Sequence, residues 1–190
     1  MPRMDEVVLQ AMLKWPQVPA CWGWLGLDAR GQWYLRDAQA QALGAFTSGV
    51  PGARGARVVH ERLIDFIGRN YAADARGHWY FQNGPQRVFV ELESTPWVWR
   101  VGGASVPGAA PLLCSHTGTV AEAMQTWLDE AGLLYVRAAP GLGRVHPQAM
   151  LAAAEAIETG HWPAPATLRA ADMPQRFGYC RSPQAVQQSL

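Results

Sequence analysis

The sequence predicts an α+β protein in which small, mostly antiparallel sheets pack against helices. Three observations support this: a heptapeptide that occurs twice, β-prone runs beside each copy, and amphipathic segments between them. The two copies of Asp-Ala-Arg-Gly-x-Trp-Tyr, residues 28–34 and 74–80, differ at one position of seven. Each copy has an Asp that can bond its own turn backbone and a Gly that can adopt positive φ, which is typical of a duplicated β-hairpin motif.

Composition restricts the class of protein. The chain has 190 residues, enough for one large domain or two small ones, and 49% of them are hydrophobic, which excludes intrinsic disorder. Its 16 basic and 15 acidic residues give a net charge of +1, so neither nucleic acid nor an anionic membrane is predicted as a partner. No apolar run is long enough to span a bilayer, and the acidic start does not resemble a signal peptide. Three scattered cysteines indicate free thiols and a cytoplasmic location.

The first half of the chain is predicted to alternate helices with hairpins. Its predicted elements are helices at 4–14 and 56–71, a hairpin at 21–36, a glycine-rich loop at 44–55, and strands at 86–93 and 97–101. Apolar residues at intervals of three and four define both helices. In the strand at 86–93, Val88, Val90 and Leu92 alternate with other residues, which predicts a sheet with one face on the core.

The second half is predicted to add helices and a strand. Its predicted elements are a helix at 119–131, a strand at 133–137, a glycine-rich turn at 138–144, a helix at 147–159 and a short strand near 176–180. Thr119 and Glu122 form a capping box for the first helix, and Gly132 would end it. A flexible linker at 102–111 predicts two subdomains, an N-terminal one at 1–103 with both hairpin copies and a C-terminal one at 112–190.

The layout resembles an uncharacterised proteobacterial family of unknown function whose members carry repeated small α+β motifs. The resemblance rests on Gly31-Gln-Trp33-Tyr34, the helix over Leu63 and Phe66, Asp74-x-x-Gly77-x-Trp79-Tyr80, the strand 87–93 followed by Pro96, and Leu134-Tyr-Val-Arg137 before Gly141. It implies a repeated-motif fold and a regulatory or ligand-sensing role in signal transduction. It carries over no catalytic residue, and the loop at 44–55 and the proline-rich tail depart from the family's pattern.

Two segments contain residues that could serve catalysis. Cys114-Ser-His116 pairs a thiol with an imidazole, but its spacing identifies neither further metal ligands nor a base with an orienting acid. The turn containing Gly141 and Gly143 lies between a strand and a helix, where backbone N–H groups can hold phosphate, but it lacks the lysine of a P-loop. A small hydrolase or transferase using Cys114 and His116, or this turn, is therefore the alternative hypothesis. No metal or cofactor is predicted.

Nine tryptophans favour a binding function. Tryptophans in strands mostly pack the core, but they also line ligand pockets and interfaces. Trp97 and Trp99 share one strand face, which would be exposed if Val98 faced the core. The predicted binding residues are Trp79, Tyr80, Trp97, Trp99, Arg144 and His146. The preferred hypothesis is a non-enzymatic regulatory protein whose two similar units bind a small molecule or a protein partner, a homodimer included.

Overall fold

The computed structural model describes residues 4–104, 106 and 108–189. These residues divide into two compact units. The first unit takes the described residues of stretches 1–28, 32–94 and 179–190, and the second takes those of 29–31 and 95–178. Each unit contains one mixed sheet together with helices, so the predicted α+β class is confirmed.

The first unit supplies most of the elements of the first half of the chain. They are α1 (Glu6–Lys14), β1 (Cys21–Leu27), β2 (Trp33–Leu35), α2 (Ala38–Ala42), β3 (Ala56–Arg57), α3 (Glu61–Arg69), β4 (Tyr71–Ala73), β5 (Trp79–Asn83) and β6 (Gln86–Leu92). Its sheet has the strand order β3-β2-β1-β6-β5-β4. The central strands β1 and β6 run parallel, and the other neighbouring strands are antiparallel.

The second unit follows with its own sheet and helices. Its elements are β7 (Trp97–Ala104), β8 (Pro111–Ser115), β9 (Val120–Ala121), β10 (Gln125–Leu128), β11 (Leu134–Ala138), β12 (Gly141–Val145), α4 (Met150–Glu158), β13 (Ala166–Thr167) and α5 (Met173–Phe177). A last helix, α6 (Pro183–Gln188), belongs to the first unit.

The two sheets share one strand order. Read from β9, the second sheet runs β9-β8-β7-β12-β11-β10, with β13 added beside β10. This is the order of the first sheet with six added to each strand number, and in both sheets the first and sixth strands of the series are the central parallel pair. The two units therefore have the same topology, and the added strand β13 is the main difference between their sheets.

The unit boundaries differ from the predicted subdomains. Residues 95–103, which the sequence placed in the N-terminal subdomain, belong to the second unit because β7 pairs with β12 and β8. Residues 179–190, placed in the C-terminal subdomain, belong to the first unit, where the Leu92 N–H donates to the Arg181 carbonyl at 2.8 Å. Ser105 and Pro107 of the predicted linker lie outside the described residues.

A single turn design closes four hairpins. At the start of each turn, an Asp or Ser side-chain oxygen accepts the backbone N–H four residues later, at 2.8–3.0 Å, and the glycine three residues on has positive φ of 72–82°. The pairs of turn residues are Asp28 and Gly31, Asp74 and Gly77, Ser115 and Gly118, and Asp129 and Gly132. The explanation of the repeated Asp and Gly by turn geometry is thus confirmed, and two further copies occur in the second unit.

Several predicted elements are wrong. The helix at 119–131 is absent: the Thr119 N–H bonds to Ser115 Oγ within a hairpin turn, and β10 ends at the Asp129 turn. Residues 173–177 form a helix that ends at left-handed Gly178, where a strand near 176–180 was expected. The helix predicted at 56–71 is shorter, since residues 56–57 form β3. In β6, Phe89 and Glu91 are as buried as Val90 and Leu92, because both faces of the sheet are covered there.

Candidate functional site

Trp79 and Tyr80 are structural residues of the first unit. Both are buried: the Trp79 ring lies 4.7 Å from that of Tyr71, and the Tyr80 ring lies 5.8 Å from that of Phe89. The Arg87 guanidinium covers the Tyr80 ring at 4.8 Å, a cation–π contact that also closes its outer side. Neither ring presents a free face to a ligand, so packing accounts for the Trp-Tyr pair.

Trp97 and Trp99 are buried in the second unit, with exposures of 2% and 0%. Val98 is buried as well, yet the rings are not exposed as a core-facing Val98 would imply, because β7 is covered on both faces. The rings stack with centroids 5.7 Å apart, and their N–H groups donate to the carbonyls of Pro140 and Val136, both at 3.0 Å. The indoles therefore have their polar atoms satisfied within the core.

Gly141 and Gly143, which the sequence placed in a phosphate-binding turn, leave room for the rings of Trp97 and Trp99. A Cβ at Gly143 would lie 2.3 Å from Nε1 of Trp99, and a Cβ at Gly141 would lie 3.1 Å from Nε1 of Trp97. Residues 141–145 form strand β12, followed by a short 3-10 turn rather than directly by an α-helix. These glycines therefore lie in a strand rather than in the turn that the phosphate-cradle interpretation assumed.

Arg144 and His146 flank the end of β12. The Arg144 N–H donates to Thr95 Oγ1 at 2.9 Å, which ties β12 to the start of β7. His146 is buried and caps the following turn, its Nδ1 accepting the Gln148 N–H at 3.1 Å. The Nη2 of Arg100 lies 3.0 Å from His146 Nε2. His146 thus has a local structural role at the end of the strand.

Burial makes His116 a poor general base for the neighbouring Cys114. The thiol of Cys114 donates weakly to the Ser115 carbonyl at 3.8 Å. His116 lies beside the Trp97 ring, and burial lowers the pKa of its imidazole to about 3, which makes it a poor base near neutral pH. In the part of the chain that the structure describes, no three His, Cys, Asp or Glu residues are placed to hold a metal ion.

The first unit contains a pocket that none of the predicted site residues lines. Its walls include Trp24 of β1, Leu35 at the end of β2 and Leu43 after α2, and its volume is about 610 Å³. These three side chains are 46%, 48% and 45% exposed, so each keeps nearly half of its surface in solvent. Exposed apolar side chains that converge on one concavity are characteristic of a binding site. We call this concavity the Trp24 pocket.

Arg36 holds the Trp24 pocket in shape from beneath. Its guanidinium is fully buried and donates to the carbonyls of Ala53 at 2.7 Å, Gly23 at 3.1 Å and Gly44. It thereby joins β1 to both ends of the glycine-rich loop that forms one wall of the pocket. A fourth contact, at 3.4 Å, goes to the side chain of Gln184 on α6. Because these bonds come from distant segments, they restrict the pocket walls and reduce the ordering that ligand binding would require.

The buried charge of Arg36 lies within the field of one buried carboxylate. Desolvation lowers the pKa of Arg36, and the charge of Glu91 partly offsets this. Burial in turn raises the pKa of Glu91, against the opposing effect of hydrogen bonds from Ser182 Oγ and the Gln184 N–H. Together these groups anchor the start of α6 beneath the pocket. Their bonds are directed inward, which indicates a structural network rather than a reactive one.

A second concavity of the first unit follows helix α1. It has a volume of about 900 Å³, with Leu9 and Met12 of the helix on one side and Pro85 and Arg87 on the other. The helix is fixed at its start, where Arg69 binds the Asp5 carboxylate at 3.1 Å. The apolar face of α1 is therefore held in place, but its exposed residues are spread along the helix rather than focused on one point.

Sequence signals could have found part of this arrangement. The spacing Asp-x-x-Gly-x-x-Tyr recurs at Asp129, Gly132 and Tyr135, and there the Tyr hydroxyl donates to the Asp carboxylate at 2.9 Å, as Tyr34 does to Asp28 at 3.3 Å. A search with this looser spacing would have replaced the helix at 119–131 by a hairpin. The Trp-x-Trp spacing alone does not distinguish Trp24 from the buried Trp97 and Trp99.

The fold and its concavities define a class: a two-unit α+β protein with an apolar pocket in its first unit. Residues 4–184 match the family model DUF2944, described as "Protein of unknown function (DUF2946)". The chain therefore belongs to the DUF2944 family, and the expectation of an uncharacterised family is confirmed at that level. No curated protein matches the sequence.

Two solved structures are similar to this chain. A DUF1285 family protein from Shewanella baltica OS155 has a TM-score of 0.50 at 11% sequence identity and covers 73% of this chain and 95% of that chain. A DUF1285 family protein from Silicibacter pomeroyi DSS-3 has a TM-score of 0.48 at 12% identity, and the match covers 70% of this chain and 68% of that protein. At these identities the likeness concerns the fold alone.

Proposed function

We propose that this protein is a non-enzymatic binding protein whose first unit takes an apolar, ring-bearing small molecule in the Trp24 pocket. The observation that carries the proposal is the convergence of Trp24, Leu35 and Leu43 on one concavity of about 610 Å³. This volume lies within the usual range of small-molecule sites, roughly 300–1,000 Å³. An indole that is half in solvent offers a flat face for stacking against a ring.

The chemistry of the lining favours binding over catalysis. Among the described residues that line the pocket, none is a serine, cysteine, histidine or lysine. Its two ionisable side chains are both engaged: Arg36 holds backbone carbonyls, and Asp37 Oδ1 accepts the Ala40 N–H at 2.8 Å as the cap of α2. The pocket therefore offers shape and apolar surface but no free nucleophile or base.

The regulatory and signal-transduction role implied by the family resemblance stays a prediction, as do the cytoplasmic location and the expected homodimer. A binding protein without catalysis suits a sensing role, since ligand binding alone shifts the stability of the bound unit. No helix in the described part of the chain is long and apolar enough to cross a membrane.

The proposal is tested with N-phenyl-1-naphthylamine, a neutral aromatic probe that fluoresces when it leaves water. We expect saturable binding to the full chain and about 10-fold weaker binding to Trp24→Ala, the size expected for a central aromatic contact. Trp15→Ala is the matched control, because Trp15 is 50% exposed and does not line the pocket. An equal loss in both variants, or no loss in Trp24→Ala, would contradict the proposal.

A further inference from the structure

A third concavity lies in the second unit and has a different character. It encloses about 330 Å³ beside the hairpin of β11 and β12, and its lining includes Arg137 of β11 and Arg176 of α5. These are the charged residues of the lining, and no acidic side chain among the described residues accompanies them. The cavity is thus a small, cationic site in a chain whose net charge is only +1.

Both guanidinium groups are available to a ligand. The side chains of Arg137 and Arg176 are exposed, and in the part of the chain that the structure describes neither forms an ion pair or a side-chain hydrogen bond. Two acids of the second unit have other contacts: Asp172 pairs with Arg169 at 2.9 Å, and Glu130 accepts the Ala170 N–H at 2.9 Å. Because both arginines line one cavity, an anion bound there would be attracted by two positive charges.

The backbone fixes the positions from which the two arginines reach the cavity. The Met124 N–H donates to the Arg137 carbonyl at 2.9 Å, which holds the edge of β10 against β11. Phe177, next to Arg176, packs edge-on against Trp127 with ring centroids 4.8 Å apart and thereby holds the end of α5 on the sheet. The arginines therefore come from two rigid elements that are distant in sequence, rather than from a mobile loop.

We propose that this cavity binds a dianionic phosphoryl group through Arg137 and Arg176. The planar guanidinium matches the oxygens of a phosphoryl group in two parallel hydrogen bonds, and two such groups supply the charge that a dianion requires. Met124 and Phe177 also line the cavity and provide an apolar wall. This wall favours a phosphomonoester with a small apolar or ring substituent over free phosphate. The site is independent of the Trp24 pocket, which lies in the other unit.

The test uses the full chain and records the arginine Nε–Hε signals by proton–nitrogen NMR during titration with phenyl phosphate, inorganic phosphate and benzoate. We expect two arginine signals to move saturably with phenyl phosphate, to move at higher concentration with phosphate, and to respond least to benzoate. The two signals are assigned by their loss in Arg137→Gln and in Arg176→Gln. A benzoate affinity equal to that of phenyl phosphate would overturn the assignment to a dianion.

Variants separate a built site from general charge attraction. Each single variant, Arg137→Gln or Arg176→Gln, is expected to bind phenyl phosphate about 10-fold more weakly, as for the loss of one charge-assisted contact. Arg169→Gln removes the same charge from the same unit without touching the cavity and is expected to bind like the natural chain. Equal weakening in all three variants would contradict the proposal. A saturable response to phenyl phosphate that the neutral naphthylamine probe leaves unchanged would separate this site from the Trp24 pocket.

Discussion

The first strands of the two units carry the same Trp-x-Trp spacing with opposite outcomes. In β7, Trp97 and Trp99 stack on each other and are buried against Gly143 of the parallel neighbour β12. In β1, Gly23 has a φ of 77° and the pairing with β6 shifts register, so Trp22 stacks on Phe89 while Trp24 stays half exposed. The same topology thus gives a packed core in the second unit, where Gly143 leaves room for the Trp99 ring. In the first unit it gives an open pocket, where the irregular strand at Gly23 leaves Trp24 half exposed.

Removal of Trp99 should produce the largest effect on stability. Trp99→Ala leaves a cavity in the core of the second unit and removes the N–H donor to the Val136 carbonyl. The free energy of unfolding is expected to fall by about 4 kcal/mol. Trp24→Ala removes a ring that keeps 46% of its surface in solvent and should cost less than about 1 kcal/mol. Denaturant unfolding of both variants measures the difference. Similar losses of unfolding free energy in the two variants would contradict the difference in burial between Trp24 and Trp99.

Arg36→Met should destabilise the first unit by about 3 kcal/mol. The substitution keeps an apolar side chain of similar length but leaves the carbonyls of Gly23, Gly44 and Ala53 without their donor. Arg54→Met is the control, since Arg54 binds the Glu93 carboxylate but is partly exposed, and its loss should cost less than about 1 kcal/mol. Chemical denaturation compares them. Equal losses of unfolding free energy in the two variants would contradict the proposed role of Arg36 in supporting the pocket.

Acid should weaken the second unit through His116. Its pKa is about 3 when folded and about 6.5 when unfolded, so the unfolded state binds the proton first. The stability from the neutral imidazole is therefore complete above pH 6.5, is lost as the pH falls below it, and is about 2 kcal/mol lower at pH 5. His116→Asn keeps an acceptor for the Val98 N–H without a titrating group. Unfolding measured from pH 7 to pH 5 should show a smaller loss in the variant, and an identical loss would contradict this origin.

The Asp74 and Asp129 hairpin turns should contribute similar amounts to the stability of their units. Asp74→Ala and Asp129→Ala each remove an acceptor for two backbone N–H groups and should cost about 1 kcal/mol. Asp129 also accepts the Tyr135 hydroxyl, so its loss should be slightly larger. The matching Asn variants retain one acceptor oxygen and should recover most of the loss. Thermal unfolding that separates Asp74 from Asp129 by several kcal/mol would show that the turns are not equivalent.

The sequence predicted what depends on local interactions. The Asp28 and Asp74 turns follow from a side chain and a glycine within five residues, and α1 follows from helical periodicity. The helix predicted at 119–131 is wrong because Thr119 and Glu122 resemble a capping box, whereas Ser115 and Asp129 each begin a hairpin turn. The full heptapeptide is too strict a pattern to detect these two turns. These errors arise where two local patterns overlap.

The candidate sites could not be predicted because distant segments build them. Arg36 looks like a surface charge in sequence, yet it binds three carbonyls from β1 and the glycine-rich loop at 44–55. Arg137 and Arg176 meet at one cavity only because α5 is held on the second sheet. The exposure of Trp24 and the burial of Trp99 follow from pairing register and a glycine on another strand, neither of which the Trp-x-Trp spacing contains.

The central claim, that Trp24 forms a binding pocket which Trp99 cannot form, is tested most directly by fluorine NMR. With the nine tryptophans replaced by 5-fluorotryptophan, the signals of Trp15, Trp24 and Trp99 are assigned by single Phe substitutions. Titration with N-phenyl-1-naphthylamine should shift the Trp24 signal saturably and leave those of Trp15 and Trp99 in place. A Trp24 signal that does not move, or a Trp15 signal that moves as far, would contradict the account.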